Sequence, residues 1–237
     1  MRWLQEVTFF LLLWIVGCSR EEPGSISGST AVFGLLKLGS PIQEIRVEKI
    51  APQEEELSSL TPAEIVVKWD AGSVNYYPHP DTDGLYLDTT AYEWLCPSST
   101  YCLIVKSDCD TITGETTTPG YFSLVSPGDS ETVRLYDSTT TTVEWNKSIG
   151  ARIYYLCFTS MENDSESVFF PLQDTILNLF YYREFFESSG WYKLRIEALD
   201  ENIYQWEING RTTVLGGEGF WGSVAIDSVH IWLECNP

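Results

Sequence analysis

The side chains that could do chemistry in this chain are scattered, and few of them form a complete motif. Only two histidines are present, His79 and His230, and the sequence contains no H-E-x-x-H, G-x-S-x-G or P-loop pattern. A His-dependent triad and a zinc hydrolase are therefore poorly supported. Paired-carboxylate chemistry stays open, because the separations between the 34 acidic residues cannot be read from a sequence.

One glycine pattern, Gly217-x-Gly219-x-x-Gly222, matches the spacing of the dinucleotide-binding fingerprint. That chemistry needs a strand before the glycines and a helix after them, so that the helix N-terminus meets the pyrophosphate. The residues that follow, 223–231, are strand-like. The pattern therefore predicts a glycine-rich hairpin or bulge rather than a nucleotide site.

A partial match to a calcium-binding loop occurs at Asp81-Thr-Asp83-Gly84. It lacks the third oxygen residue and the terminal Glu of an EF-hand. We expect an Asx-type turn before a strand. Calcium in a loop at a sandwich edge remains the alternative, with Asp81, Asp83 and Asp88 as candidate ligands, and no other cofactor is predicted.

Tryptophan and tyrosine are abundant, with 9 and 13 copies, and exposed aromatic rings could form a sugar-binding platform. Most of these rings should instead lie in a core, and we assign Trp145 and Tyr192 to packing. Trp221 and Trp232 fall near or on an expected outer edge, which makes them the candidate ligand platform.

The N-terminus contains an apolar run of ten residues, Val7–Val16, behind the single basic residue Arg2. A bilayer-spanning helix needs about 20 residues, so the run has the length of a signal-peptide core. It ends in Ile15-Val16-Gly17-Cys18, which resembles the lipobox of bacterial lipoproteins. The resemblance implies that residues 1–17 are a signal peptide and that Cys18 is diacylated.

The charged, Pro/Gly/Ser-rich stretch 19–28 favours cleavage, so residues 18–28 are expected to form a lipidated tether. An ordinary secretory signal and an uncleaved anchor are the alternatives. Ser19 after the cysteine, rather than Asp, implies sorting to the outer membrane in a cell with two membranes.

Five cysteines follow Cys18, and export to an oxidising compartment makes disulfides plausible. An odd number leaves at least one cysteine free or paired between chains. A zinc site is the alternative, but the spacings are wide and no histidine lies nearby. The candidate disulfide cysteines, with connectivity open, are Cys96, Cys102, Cys109, Cys157 and Cys235.

The net charge of -20 limits the partners of the chain. Such an acidic protein repels the phosphates of nucleic acids and of anionic lipid headgroups. A membrane contact should therefore depend on the lipid, and nucleic acid is not expected as a partner. The acidity itself favours solubility on an exposed surface, with divalent-cation binding as the alternative.

Strand-forming residues dominate the rest of the chain, and Pro, Gly and Asp separate them. We expect a domain boundary near Pro119. A short strand at Ile42, Ile45 and Val47 should have one buried face. The clearest strands lie at 63–69, 101–105, 140–145, 192–198 and 224–233.

One helix candidate covers Thr175–Glu187, with Asp174 as its cap. Its aromatic density argues equally for a strand.

Two strands share a pattern, Tyr101-x-Leu-x-Val and Tyr192-x-Leu-x-Ile. They resemble the tyrosine-corner strand of immunoglobulin-like and fibronectin type III-like sandwiches, which implies that each hydroxyl bonds back to the preceding turn. Val143-Glu-Trp145 extends the fibronectin type III-like resemblance in the second half. The first half, through 63–69 and 84–86, is similar to transthyretin-like sandwiches.

The fold class is therefore all-β, with two tandem β-sandwich domains at 29–119 and 120–237. The pattern A-x-D-x-N-x-Y at 198–204, followed by G-G-x-G-x-x-G at 216–222, resembles an uncharacterised class of bacterial envelope lipoproteins. This sequence departs from that class in its extra cysteines and in Trp221, where a smaller residue is expected. The resemblance implies location and shape rather than a reaction.

Together these features predict a membrane-anchored lipoprotein of the cell envelope with a non-enzymatic role in binding, adhesion or envelope assembly. Its partner would be an envelope protein or a glycan. The alternatives are a surface carbohydrate-active enzyme or carbohydrate-binding accessory module, and a calcium-dependent adhesion module.

Overall fold

A computed structural model describes residues 29–50, 63–107, 110–137, 141–162, 166–186 and 188–235. The predicted signal peptide, the lipidation of Cys18 and the tether lie outside these residues, as does Cys109. No helix within the described ranges is long and apolar enough to cross a membrane.

Strands account for most of the described chain. The strands of the first half are β1 (Ser29–Leu38), β2 (Gln43–Ile50), β3 (Glu64–Trp69), β4 (Gly72–Pro78), β5 (Leu85–Asp88), β6 (Thr100–Lys106) and β7 (Thr111–Thr117). Those of the second half are β8 (Leu124–Ser126), β9 (Thr132–Arg134), β10 (Thr142–Trp145), β11 (Ile153–Ser160), β12 (Glu166–Leu172), β13 (Ile176–Asn178), β14 (Gly190–Leu199), β15 (Val214–Leu215) and β16 (Glu218–Glu234).

Helices are short. They are α1 (Ala91–Trp94), a 3-10 helix (Leu179–Phe185) and α2 (Glu201–Glu207).

The strands form two sandwiches that share one strand. Twelve strands follow one another in the order β12-β11-β14-β16-β1-β2-β5-β4-β3-β6-β7-β15, with β9 added to β16. A separate sheet, β13-β10-β8, covers the second half. The chain is therefore an all-β protein of sandwich type, as its alternating sequence predicts.

Each sandwich has its own core. The first core is built mainly from Val32, Leu36, Ile45, Val47, Ile65, Val67, Tyr101, Leu103, Val105, Ile112, Val214 and Trp221. The second core is built mainly from Leu38, Val133, Leu135, Val143, Trp145, Tyr154, Leu156, Phe158, Leu179, Leu194, Ile196, Ile231 and Leu233. The two cores do not follow the predicted domain boundary near residue 119, because Val214 and Trp221 from the second half belong to the first core.

Strand β16 is the element that joins the two sandwiches. Its first part pairs in parallel with β1, from Ala31–Glu218 to Leu38–Ala225. Its later part pairs antiparallel with β14, up to Gly190–Leu233. The sequence predicts only 224–233 as strand, because the glycines before it resemble a turn; pairing with β1 extends the strand to Glu218.

The predicted inward faces are confirmed for the two tyrosine strands. Tyr101, Leu103 and Val105 are buried on β6, and the alternate residues of β14 from Tyr192 to Ala198 are buried as well. Trp145 lies in the second core as expected. Period-two alternation identifies these residues because each strand has one face against a core.

The face of β2 is shifted at its start relative to the prediction. Ile42 is exposed, whereas Gln43 is buried together with Ile45 and Val47. The Gln43 side chain accepts a hydrogen bond from Lys37 N at 2.7 Å and donates to the carbonyl oxygens of Lys37 and Ser40. A buried amide is tolerated here because it satisfies the backbone of the β1–β2 turn.

The helix candidate Thr175–Glu187 is partly wrong. Its first residues form strand β13, and only Leu179–Phe185 is helical, as a 3-10 helix. Asn178, rather than Asp174, caps this helix by accepting a hydrogen bond from Phe180 N at 2.9 Å. Residues 176–178 form a strand because they pair with β10, although the sequence pattern there also fits a helix.

Candidate functional site

The glycine pattern at 216–222 serves the packing of the first sandwich. Gly219 has a φ of +105°, and a Cβ there would collide with the carbonyl oxygen of Val32. The pattern leads into β16 instead of a helix, so the helix N-terminus that would bind a pyrophosphate is missing from this part of the structure. These glycines therefore have a structural role, as the sequence predicts, and do not form a nucleotide site in the described structure.

Trp221 is not part of a ligand platform, and that prediction is wrong. Its side chain is completely buried in the first core, and its Nε1 donates to the carbonyl oxygen of Tyr101 at 3.1 Å. Two glycines make room for the ring: a Cβ on Gly34 would lie 2.6 Å from the ring atom Cε3, and one on Gly114 would lie 2.9 Å from the Trp221 Cβ. The indole is therefore a central core residue.

Trp232 lies on the outer face of β16, opposite Trp191 on β14. Their ring centroids are 5.7 Å apart in an edge-to-face arrangement, and Trp191 is 40% exposed. The prediction of an aromatic surface at Trp232 thus has a geometric basis. The steep angle between the two rings, 74°, gives no flat platform of two coplanar faces.

The pattern A-x-D-x-N-x-Y forms the start of helix α2, which the sequence analysis did not recognise. Asp200 caps the helix by accepting a hydrogen bond from Ile203 N at 2.9 Å. Its second carboxylate oxygen accepts hydrogen bonds from the hydroxyls of Thr116 and Ser223. Asn202 donates to the carbonyl oxygens of Glu115 and Trp221.

Asp200 is almost completely buried, and burial raises its pKa above the ordinary value although the hydrogen bonds to Thr116, Ile203 and Ser223 act in the opposite direction. Both carboxylate oxygens are occupied by protein donors. The group therefore fastens α2 to strands β7 and β16, and it has no oxygen directed at a cavity. An Asp followed by a short polar-apolar segment is a capping signal that a closer search for short helices could have found.

The candidate calcium ligands do not come together. Asp81 and Asp83 are exposed in a loop, whereas Asp88 is buried and accepts hydrogen bonds from Trp94 Nε1 at 2.9 Å and from the Thr90 hydroxyl at 2.7 Å. Within the described ranges there is no group of three or more His, Cys, Asp or Glu residues that could hold a metal ion. The geometry thus gives the calcium hypothesis no support.

The two histidines are also apart. His79 accepts a hydrogen bond from Asp81 N through its Nδ1, in the loop after β4. His230 lies on β16, and its backbone N donates to Asp129 at 2.8 Å. This bond is the main reason why the pKa of Asp129 is lowered.

The cysteines occupy different environments. Cys96, Cys102 and Cys235 have free thiols in the structure, and Cys157 is buried on β11. Burial raises the pKa of the Cys102 and Cys235 thiols. The structure has no disulfide among Cys96, Cys102 and Cys235, and because Cys109 lies outside the described residues, its pairing stays a prediction.

An open groove on the outer face of the first sandwich is the feature that the sequence analysis missed. It has a volume of about 350 Å³. Strands β1, β2, β5 and β16 supply its lining, which consists of Phe33, Leu35, Lys37, Glu44, Arg46, Leu85 and Phe220. We call this feature the outer groove.

The strand register explains how these side chains meet. Phe33 on β1 lies opposite Phe220 on β16 and opposite Arg46 on β2, and Arg46 lies opposite Leu85 on β5. One row of side chains therefore crosses four strands on the same face. The alternation Phe33-x-Leu35-x-Lys37, outward-facing beside the buried Val32 and Leu36, is the sequence signal for this surface.

Helix α2 adds a third aromatic ring beside the groove. The ring centroid of Trp206 lies 5.8 Å from that of Phe33 and 5.6 Å from that of Phe220, and the two phenylalanine rings are 5.9 Å apart. All three side chains are partly exposed. Asp200 and Asn202 thus have an indirect role at the surface, because they fix the helix that carries Trp206.

The charges of the outer groove are mixed, with Lys37 and Arg46 against Glu44. Arg46 forms an ion pair with Glu48, but the two side chains remain 60% and 44% exposed. Exposed pairs of this kind contribute little to stability, so the guanidinium can exchange this partner for another anion at small cost.

No protein-family model matches the chain, and no curated protein matches it. Among solved structures, it is similar to the FN1–FN3 domains of chicken CNTN1, at 13% identity and a TM-score of 0.33, over 91% of this chain and 69% of that one. It is also similar to the BSP domain of a biofilm-associated protein, at 12% identity and a TM-score of 0.25, over 89% of this chain and 30% of that one.

Proposed function

We propose that the chain is a non-enzymatic binding protein of the bacterial cell envelope, tethered as a lipoprotein through Cys18. The observation that carries the binding role is the outer groove, where two aromatic rings, Phe33 and Phe220, and two cationic side chains line an open cavity, and the ring of Trp206 contacts both phenylalanine rings. The anchoring rests on the lipobox Ile15-Val16-Gly17-Cys18 and on the apolar run before it.

A binding role agrees better with the groove than hydrolysis of a glycan does. Glycoside hydrolysis needs two carboxyl groups on either side of the scissile bond. Of the residues that line the outer groove, Glu44 alone carries a carboxylate. The buried acids Asp88 and Asp200 are both occupied by hydrogen-bond donors of the protein.

The position of β1 in the chain suits attachment through the predicted tether. The predicted tether leads directly into Ser29, the first residue of β1. Strand β16 pairs with β1 from Glu218 to Ala225 and continues into the second sandwich, and its 17 residues correspond to about 55 Å at 3.3 Å per residue. Strand β16 therefore links the strand that follows the predicted tether in the chain to the second sandwich. We propose that the protein lies on the outer membrane in a cell with two membranes.

The anchoring is tested by mass spectrometry of the full chain after expression in a bacterium and extraction with detergent. We expect a mature chain that begins at Cys18 and carries the mass of the attached acyl groups. Cys18→Ala should release the protein from the membrane fraction, whereas Cys96→Ala, which changes an exposed thiol 78 residues after Cys18 in the sequence, should leave it there. An uncleaved or unmodified Cys18 in the parent protein would refute the lipoprotein proposal.

A further inference from the structure

We infer that the outer groove binds an anionic glycan, recognised through its sugar rings by the aromatic side chains and through its carboxylate or phosphate groups by Lys37 and Arg46. The inference rests on the proposed binding function and names the ligand class of that same site.

The aromatic part of the site is a contiguous wall. Phe33 contacts Trp206 and Phe220 edge-on, the Trp206 and Phe220 rings are tilted by 41°, the centroids are 5.6 to 5.9 Å apart, and none of the three side chains is fully buried. Aromatic rings at an interface supply a large apolar contact area, and the indole N–H adds a polar donor. A sugar ring, which has an apolar face of C–H groups and a polar rim, matches such a wall beside charged side chains.

The cationic part of the site is unusual for this chain. Lysine and arginine number 14 in a protein of net charge -20, and two of them line this groove together with Glu44, while Glu48 forms an exposed ion pair with Arg46. A guanidinium binds carboxylate and phosphate groups through two parallel hydrogen bonds. An anionic ligand therefore has a local partner here although the protein as a whole repels anions.

The two cations are placed for an extended ligand. Arg46 lies opposite Phe33, and Lys37 lies four residues further along β1. At 3.3 Å per residue, the two positions are about 13 Å apart along the strand. The volume of about 350 Å³ is at the lower end of the range for small-molecule sites, and the groove is open to solvent. These dimensions suit a short segment of a polymer with repeated negative charges better than a single small ion.

The location of the groove agrees with a ligand in the envelope. Phe33 lies four residues after Ser29, so β1, which follows the predicted tether in the chain, supplies part of the groove. The eleven residues 18–28 can span at most about 40 Å. A site so close to the anchor can reach polysaccharide that lies near the membrane surface.

Calorimetric titration of the full chain in detergent tests the inference with three probes. They are tetragalacturonate, which carries carboxylates, glucose 6-phosphate, which carries a phosphate, and the neutral maltotetraose. We expect the protein to bind at least one of the two anionic probes tenfold more tightly than maltotetraose, and binding to weaken as salt is added.

The variants Arg46→Gln and Trp206→Ala should each weaken binding of the anionic probe at least tenfold. Matched controls are Arg134→Gln, which removes an arginine from another exposed ion pair, and Trp191→Ala, which removes a partly exposed indole from the second sandwich. Both controls should bind as the parent does, and circular dichroism should show that all four variants are folded.

Equal affinity for maltotetraose would overturn the assignment of an anionic ligand. Undiminished binding by both groove variants would overturn the assignment of the site. If none of the probes binds, the glycan inference fails, whereas the lipid on Cys18 is measured independently and decides the anchoring proposal by itself.

Discussion

Each sandwich contains a strand with the same tyrosine pattern, β6 in the first and β14 in the second. The two cores are nevertheless completed in different ways. In the second sandwich, the central indole Trp145 comes from β10, within the same half of the chain. In the first, the central indole Trp221 arrives on β16, more than a hundred residues after the β6 strand that it contacts. The first core is therefore incomplete until the last part of the chain has folded onto it.

The two indoles also differ in their polar atoms. Nε1 of Trp221 donates to the carbonyl oxygen of Tyr101, whereas Nε1 of Trp145 is buried without a hydrogen-bond partner among the described residues. A buried N–H with no acceptor costs free energy. The indole N–H of Trp221, which makes the long-range contact, is thus the one that has a hydrogen-bond acceptor. This bond indicates that β16 is an integral part of the first sandwich.

The largest effect is expected for Trp221→Ala. Removing a fully buried indole costs about 3–5 kcal/mol in the free energy of unfolding, because it forfeits apolar burial and leaves a cavity. Here the cavity would lie between Gly34 and Gly114, which have no side chains to fill it. Chemical denaturation, followed by intrinsic fluorescence and by circular dichroism, measures the loss.

Trp206→Ala is the control for this prediction, since it removes an indole that is partly exposed on α2. Its cost should be clearly smaller than that of Trp221→Ala. Similar costs for the two variants would mean that β16 is not required by the first core, and the contrast between the sandwiches would be lost.

A smaller effect distinguishes the two tyrosine corners. The Tyr101 hydroxyl donates to the carbonyl oxygen of Trp94 at 3.0 Å and accepts from Cys96 N at 2.7 Å, so it satisfies two backbone groups. The Tyr192 hydroxyl donates to the carbonyl oxygen of Ser188 at 3.2 Å. Both bonds lead back to the preceding turn, which confirms the tyrosine-corner prediction.

We expect Tyr101→Phe to cost about 1–3 kcal/mol, because it leaves a backbone N–H and a carbonyl without their partner. Tyr192→Phe should cost about 0.5–1.5 kcal/mol, the usual contribution of one hydrogen bond. Urea denaturation of both variants in parallel measures the difference. A larger loss at Tyr192 would reverse the ranking of the corners and contradict the interpretation from their bonding.

The comparison of the sandwiches also shows where sequence reasoning succeeds. The inward faces of β6 and β14 follow from local alternation, since neighbouring residues in one strand decide which side is apolar. The corner hydroxyls could be predicted for the same reason, because Tyr101 and Tyr192 bond within a few residues of themselves.

The remaining features depend on contacts that are distant in the sequence. Phe220 and Trp221 are adjacent aromatic residues, and a shift of one residue exchanges the buried and exposed faces of a strand. The glycine-rich residues before them show no alternation of apolar and polar side chains, so the local sequence does not determine which of the two aromatic residues is buried. The space for Trp221 is provided by Gly34 and Gly114, which are far away along the chain. The outer groove could not be predicted without the pairing of β1 with β16.

The smallest effect concerns the buried carboxylate that ties α2 to both sheets. Burial raises the pKa of Asp200 in the folded protein, whereas the unfolded chain should titrate near the ordinary value of about 3.9. The stabilisation contributed by this group is therefore complete below that ordinary value, and it decreases as pH rises through the raised pKa. Asp200→Asn removes the titration and retains an oxygen that can cap Ile203 N.

The stability of the parent protein relative to Asp200→Asn should consequently fall as pH increases from about 3.5 to 7, as measured by urea denaturation at several pH values. Asp129, on the second sandwich, provides a control of opposite sign, because the hydrogen bond from His230 N lowers its pKa. The parent should lose stability relative to Asp129→Asn as pH decreases. If the stability relative to both variants changed with pH in the same direction, the buried Asp200 would not differ electrostatically from the exposed Asp129. Only its hydrogen bonds would then account for the attachment of α2 to the two strands.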